Sequence, residues 1–268
     1  MGGPVRCRPA PARGSELLLG RNAVREVLQA GRRRVSRVLV AEGARETEVI
    51  ERILSLAGER GVRVERVGHD GLRTEDGKSH GVGAEAEPYP YVALADISLE
   101  ATARGEAPLI LLLDELQDPQ NVGTLLRTAE AAGAHGVVLP YRRAVGITPA
   151  VVRASSGACE HLLIAAENLA DAIHRLREEG VLVVGLDSGA GAQPLEQIDL
   201  AGPLGLVVGG EGSGLRRLVR ERCDVVAGLP LRGRIGSLNA AVAGSIALYL
   251  AWARRHAATA AIDAPPES

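Results

Sequence analysis

Phenylalanine is absent from this 268-residue chain, methionine and tryptophan occur once each, and tyrosine four times. A core must therefore be built from Val, Leu, Ile and Ala, which the 46% hydrophobic content supplies. Lysine is nearly missing too. Lys78 stands alone, so arginine carries the basic charge, and its planar fork suits phosphate and base edges. A GC-rich genome produces the same bias. Cysteine is scarce: Cys7, Cys159 and Cys223 are far apart and odd in number, which excludes a disulfide framework and fits a reducing cytosol. His69, His80, His135, His161, His174 and His256 show no metal-ligand spacing, and no metal is expected. The longest apolar run, Ala240 to Trp252, is too short and too rich in small residues to span a bilayer. Residues 1–14 hold Arg and Pro but no apolar signal core, so a disordered arm on a soluble, cytoplasmic protein is predicted.

Strong net charge is also lacking, at −2, yet the charge is uneven. Residues 1–40 carry nine arginines against Glu16 and Glu26. Such asymmetry points to a basic arm or domain for nucleic acid, or to a solvated tail beside an ordinary helix face.

Hydrophobic periodicity divides the chain. Leu18–Ala30 reads as a helix, Val35–Ala41 as a strand, Thr47–Ala57 as a helix, with strands at Val62–Val67 and Ser79–Ala86. Glu87–Pro108 looks like a linker. From Leu109 the alternation is regular. Strands are predicted at Leu109–Leu113, Gly136–Leu139, Leu162–Ala165, Val181–Leu186, Gly205–Val208 and Val225–Ala227. Helices are predicted between them, over 121–132, 149–155, 168–179, 214–222 and 239–255. Continuous apolar strands separated by amphipathic helices imply an α/β fold with a parallel sheet covered on both faces.

Three strand-to-helix junctions carry the chemistry: NVGTLLR (121–127), GGEGSGL (209–215) and LPLRGRIGSLN (229–239). In an open α/β sheet such junctions lie where ligands bind. Asn121 sits where a helix N-cap belongs, and Arg127 falls off the buried stripe of its helix. In the second junction four glycines let a ligand approach the backbone, but the spacing is not the dinucleotide fingerprint, and Glu211 would repel phosphates. In the third, Ser237 or Asn239 is a candidate helix cap, and the Ala- and Gly-rich helix beyond it is suited to a tight interface.

Together, NVGTLLRTAEAAG, VVGGEGSGL and LPLRGRIGSLNAAVA resemble the three motifs of the SpoU/TrmH branch of the SPOUT RNA 2′-O-ribose methyltransferases. LLLGRNAVREVL and KSHGVGAEAEPYPY are similar to the L30e-like substrate-binding domain of the ribosomal-RNA guanosine 2′-O-methyltransferases. The resemblance implies a SPOUT α/β domain with a deep trefoil knot and parallel sheet, preceded by a small L30e-like α/β domain. The implied division is a basic arm (1–14), an RNA-binding domain (15–90), a linker (91–107), a catalytic domain (108–258) and a disordered tail (259–268). It implies S-adenosylmethionine as cofactor, RNA as substrate (23S ribosomal RNA ahead of tRNA) and a homodimer formed by the catalytic domain. By residue, it implies cofactor contacts at Gly209, Gly210, Leu229 and Leu238, and a polar catalytic set of Asn121, Arg127, Glu211, Ser237 and Asn239. Two departures bear on the target nucleotide: Asn239-Ala-Ala where the family commonly has a Val-Ser, and His80-Gly81 where it has His-Gln-Gly. The alternatives are a tRNA enzyme, a methyltransferase conferring thiopeptide resistance, and a non-catalytic RNA-binding protein. A nicotinamide-binding Rossmann enzyme is excluded, because the first strand of the regular region ends in DELQDPQN instead of a glycine fingerprint.

Overall fold

The computed structural model describes residues 14–45, 47–68, 72, 81–189, 191–210, 214–234 and 236–262. The arm expected at 1–14 therefore lies, but for Gly14, outside the described residues, as does the tail beyond Ile262.

The chain forms two compact units. The first groups residues up to Pro90 with Ile147–His161. It contains β1 (Glu16–Leu19), α1 (Arg21–Ala30), β2 (Val35–Ala41), α2 (Glu48–Glu59), β3 (Arg63–Val67), β4 (Val82–Ala86) and α5 (Pro149–Ala154). Its sheet runs β1-β4-β2-β3, with β4 antiparallel to both neighbours and β2 parallel to β3. Leu18 and Leu19, expected at the head of a helix, instead pair with β4 as a strand, and Gly20 at φ 111° turns the chain into α1. Only glycine takes that φ without strain.

The segment 147–161, expected within a continuous catalytic domain, packs in this first unit. The reason is a buried polar joint. The Arg33 guanidinium pairs with the Glu160 carboxylate, and both side chains are essentially inaccessible. Arg33 also donates to Glu16 at 3.2 Å and to the Glu87 carbonyl at 3.0 Å. The Tyr89 hydroxyl donates to the Cys159 carbonyl at 3.2 Å. A buried charge is tolerated only when paired, so removing either partner of the Arg33–Glu160 pair leaves the other costly to bury.

The second unit, Tyr91–Gly146 with the chain from Leu162 onward, holds the regular alternation. In order, it contains α3 (Leu94–Arg104), β5 (Leu109–Asp114), α4 (Pro119–Ala131), β6 (Gly136–Leu139), β7 (Leu163–Ala166), α6 (Leu169–Glu178), β8 (Leu182–Leu186), β9 (Gln193–Pro194), β10 (Leu204–Gly209), α7 (Arg217–Arg222), β11 (Val225–Gly228) and α8 (Ala240–Ile262). Its strands are ordered β7-β6-β5-β10-β8-β11-β9, and every pairing is parallel. The two central strands, β5 and β10, are buried at every residue, as strands covered on both faces must be.

Helix α3 occupies the stretch expected as a linker. Leu94, Ile97 and Ala101 are buried on one face, and the first two join the core cluster with Ile110, Leu112 and Leu169. The stretch looked like loop because its Glu, Thr and Arg residues face outward and the apolar stripe is narrow. Helix α8 runs to Ile262, past the expected start of the tail at 259. Its glycine serves contacts inside the chain: a Cβ on Gly244 would stand 2.5 Å from Leu125 Cδ2 and 2.9 Å from Val208 Cγ2. The opposite side of α8 leaves Val242, Ile246 and Tyr249 exposed in one stripe.

Candidate functional site

Strands β5, β10, β8 and β11 run in the same direction, so their carboxyl ends meet at one edge of the sheet. A cavity of about 490 Å³ opens there, in the size range of small-molecule sites. Its walls are the ends of β8 and β10, the turn after β11, and the start of α8. Asp187, Gly209, Gly210, Gly228, Leu229, Leu231, Ser237, Leu238 and Asn239 are among the residues lining it.

Six of the nine residues singled out from the sequence therefore line one cavity: Gly209, Gly210, Leu229, Ser237, Leu238 and Asn239. Asn121 joins from α4, because the Asn239 amide donates to its side-chain oxygen at 3.1 Å. Arg127 lies on an exposed face of α4 and is not among the lining residues. Six residues along a helix turn the chain by 600°, so a buried Asn121 leaves Arg127 about 120° away around the axis. Glu211 falls outside the described residues.

Two local assignments change. Asn121 is not the cap of α4. Asp118 is, accepting from the Gln120 N–H at 3.0 Å, with Pro119 in the first turn. The backbone N–H of Gln120 holds the Asp118 carboxyl below the ordinary value of 3.8. Asn121 sits inside the first turn instead, with its side chain turned inward at 8% exposure. Of the two candidates for capping α8, Asn239 does so: its side-chain oxygen accepts from Ala241 N–H at 2.9 Å and Val242 N–H at 3.2 Å. The cap and the candidate site residue are the same side chain.

Gly209 of the second junction also has a packing reason to be glycine. A Cβ on Gly209 would lie 2.4 Å from the Gly214 carbonyl carbon and 2.7 Å from the Leu215 nitrogen. The loop's own backbone fills that space, so chain folding by itself already requires glycine at 209.

Sequence reading missed Asp187, the only charged residue lining the cavity among those described. It follows β8, pairs with Arg220 and accepts from the Gly189 N–H at 3.1 Å. The available signal was an acidic residue at the carboxyl end of a parallel strand, where α/β sheets place functional groups. Burial pushes the thiols of Cys159 and Cys223 up to about 12, so neither supplies a thiolate near neutral pH.

The first unit holds a cavity of its own, of about 690 Å³, over the start of α1. Arg21, Arg45 and Arg153 line it, with Asn22 and Ser156, and no carboxylate does among the described residues. The N-terminus of α1 has neither a capping side chain nor an acidic residue in its first turn, and its first internal bond is Val24 N–H to the Gly20 carbonyl.

The SpoU rRNA Methylase family matches residues 108–249, and the RNA 2′-O ribose methyltransferase substrate binding family matches residues 17–92. The Bacillus subtilis protein YacO, assigned to the TrmH family of tRNA/rRNA methyltransferases, is 39% identical over 90% of this chain and 96% of its own. The SpoU methyltransferase AviRb from Streptomyces viridochromogenes, solved with its cofactor AdoMet, superposes with a TM-score of 0.76 at 26% identity, covering 91% of this chain and 92% of that one. An AdoMet-bound rRNA methyltransferase from Sinorhizobium meliloti gives a TM-score of 0.70 at 28% identity, over 91% and 88% of the two chains.

Proposed function

The chain belongs to the SpoU rRNA methylase family, within the TrmH group of RNA methyltransferases, and from that premise we propose that it transfers a methyl group from S-adenosylmethionine to a ribose 2′-oxygen of RNA, on a guanosine of 23S ribosomal RNA. The observation that carries this reading is the single cavity bringing together Gly209, Gly210, Leu229, Ser237, Leu238 and Asn239, with Asn121 bonded to the last of them.

The lining suits the cofactor. Leucines 229, 231 and 238 offer apolar surface for a flat base, and the glycine turns offer backbone polar groups. S-adenosylmethionine, when bound, supplies an electrophilic methyl on a sulfonium. The protein's part is to hold the ribose hydroxyl in line and to favour its loss of a proton. A ribose hydroxyl is a weak acid, so it needs a base or strong electrostatic assistance. A guanidinium offers only donors, so Arg127 is assigned to orienting an RNA phosphate and stabilising the alkoxide. Ser237, Asn239, Asn121 and Glu211 are assigned to positioning the ribose and ordering the loops around it.

Arg127 is exposed and does not line the cavity of its own chain, which supports its acting on the cavity of a partner. The exposed Val242, Ile246 and Tyr249 stripe on α8 supports a homodimer through this helix, since a contiguous apolar face in water is unfavourable. The trefoil knot belongs to the same reading. Strand β11 lies between β8 and β9 at one side of the sheet, while α8, next in the chain, packs back on α4 and β10. Ribosomal RNA is favoured over tRNA by the substrate-binding match over 17–92 and by the arginine-lined cavity in that unit.

The test is a 2′-O-methylation map of total ribosomal RNA and tRNA from cells with and without the protein. One guanosine of 23S RNA should lose its mark. Loss of a tRNA mark instead replaces the substrate, and an unchanged map overturns the reading.

A further inference from the structure

The strand that leads into the cavity, β10, lies between β5 and β8. Each neighbour ends in, or is followed directly by, an aspartate: Asp114 on β5 and Asp187 after β8. Each aspartate is held by an arginine from the segment that follows the β10 loop. The Arg216 side chain donates from Nε to Asp114 Oδ1 at 2.6 Å, and its backbone N–H donates to Oδ2 at 2.8 Å. Arg220, one helical turn later, pairs with Asp187. The Arg220 N–H bonds the Arg216 carbonyl at 2.8 Å, so one turn of backbone fixes the spacing of the two.

We propose that Arg216 and Arg220 form a two-point clamp that straddles β10 and sets the wall of the cofactor cavity, making both of them positioning residues for cofactor binding. The proposal rests on the reading of this cavity as the S-adenosylmethionine site.

The clamp acts at close range. Asp114 is fully buried, so its charge needs the Arg216 partner. Gly214 lies two residues before Arg216, and its N–H bonds the Gly210 carbonyl at 3.1 Å. Its backbone fills the space beside Gly209, and a Cβ on Gly210 would come within 3.0 Å of the Glu115 carbonyl. Glu115 itself is held at φ 56°, a conformation costly for a non-glycine residue, and Arg216 reaches its carboxylate at 3.4 Å. Three cavity-lining glycines, 209, 210 and 214, are thus placed by contacts that Arg216 anchors to the end of β5. At the other point, Asp187 lines the cavity directly and is held by Arg220. Both arginines act through other groups; neither lines the cavity.

Calorimetric titration of the full chain with S-adenosylmethionine tests this. Arg216→Gln and Arg220→Gln should each raise Kd by about tenfold, a change of about 1.4 kcal/mol. The kcat at saturating cofactor should stay within about threefold of wild type, since the loss falls on cofactor binding. Asp114→Asn combined with Arg216→Gln should bind more tightly than Arg216→Gln alone, because removing both charges leaves no unpaired buried carboxylate. A role confined to overall stability would lower the melting temperature and leave the Kd of folded protein unchanged. If the glutamine variants do not fold, Arg216→Lys carries the test. It keeps the charge but cannot reproduce the Nε contact, so a Kd raised by about threefold is expected. Folded variants that bind within twofold of wild type overturn the clamp. A wild-type protein that binds no S-adenosylmethionine overturns the reading of the cavity instead.

Discussion

The side-chain amide of Asn239 donates to the side-chain oxygen of Asn121 at 3.1 Å, across 118 positions of sequence. The remaining oxygen of Asn239 caps α8, so one side chain starts that helix and ties it to α4. A second tie between the same helices lies about two turns away, where Thr128 and Ser245 hydroxyls are 3.0 Å apart.

Asn239→Ala should remove a cap worth about 1 kcal/mol and leave the nearly buried Asn121 without this partner, at a further cost of about 1 kcal/mol. Asn121→Ala should cost only the second amount. Urea unfolding of both single variants and the double variant checks this. The double variant should be less destabilised than the sum of the two, and strict additivity would mean that the 3.1 Å contact contributes nothing.

Arg127→Ala should lower methyl transfer by about 100-fold or more, the scale for losing an electrostatic stabiliser at the reacting oxygen. Arg127 lies on an exposed face of α4, outside the cavity lining. Stability and S-adenosylmethionine affinity should therefore stay close to wild type. Tritium transfer to the RNA, run beside calorimetry, separates the two. Wild-type rates on the true substrate would remove Arg127 from the mechanism.

Acid should destabilise the fold through His135. Burial, with Arg104 nearby, holds this imidazole below its ordinary value of 6.5. Its Nδ1 accepts from the Leu109 N–H at 3.0 Å, which requires the neutral ring. Below that value the unfolded chain takes up a proton more readily than the folded one. The site's contribution is therefore complete above the unfolded value and lost as pH falls toward the lower folded value. The loss is at most about 1.4 kcal/mol per pH unit. Melting curves recorded from about pH 7.5 to about pH 5.5 should fall more steeply for wild type than for His135→Gln. Parallel curves would assign acid sensitivity to other groups.

Arg21, Arg45 and Arg153 should contact RNA phosphate. Each alanine replacement that removes one contact should lower the salt slope of RNA binding by about 0.7–0.9. Cofactor affinity should not change, since the three residues line the cavity of the first unit. Binding measured across a range of salt concentrations gives the slope directly. An unchanged slope in the triple variant would place the RNA elsewhere on the protein.

Much of this was legible in the chain. The all-apolar runs at 109–113 and 205–208 marked the two central strands, because a strand covered on both faces has no polar position to hide. Leu94–Arg104 was missed because its apolar stripe is narrow and Leu99, on the opposite face and 65% exposed, blurs the helical period. The segment 147–161 gave no sign of its destination, because the Arg33–Glu160 pair that holds it joins residues 127 apart. Asp187 was passed over because its role depends on Arg220, which no local pattern links to it.

The sequence alone determined the alternation of strands and helices, the parallel sheet and the three junctions, because each follows from periodicity and turn chemistry within a short window. Tertiary structure decided which of those residues share a cavity, that Asn239 both caps and bridges, and that Gly209 meets loop backbone where a side chain would stand. These depend on distances between residues far apart in the chain, and only packing sets such distances.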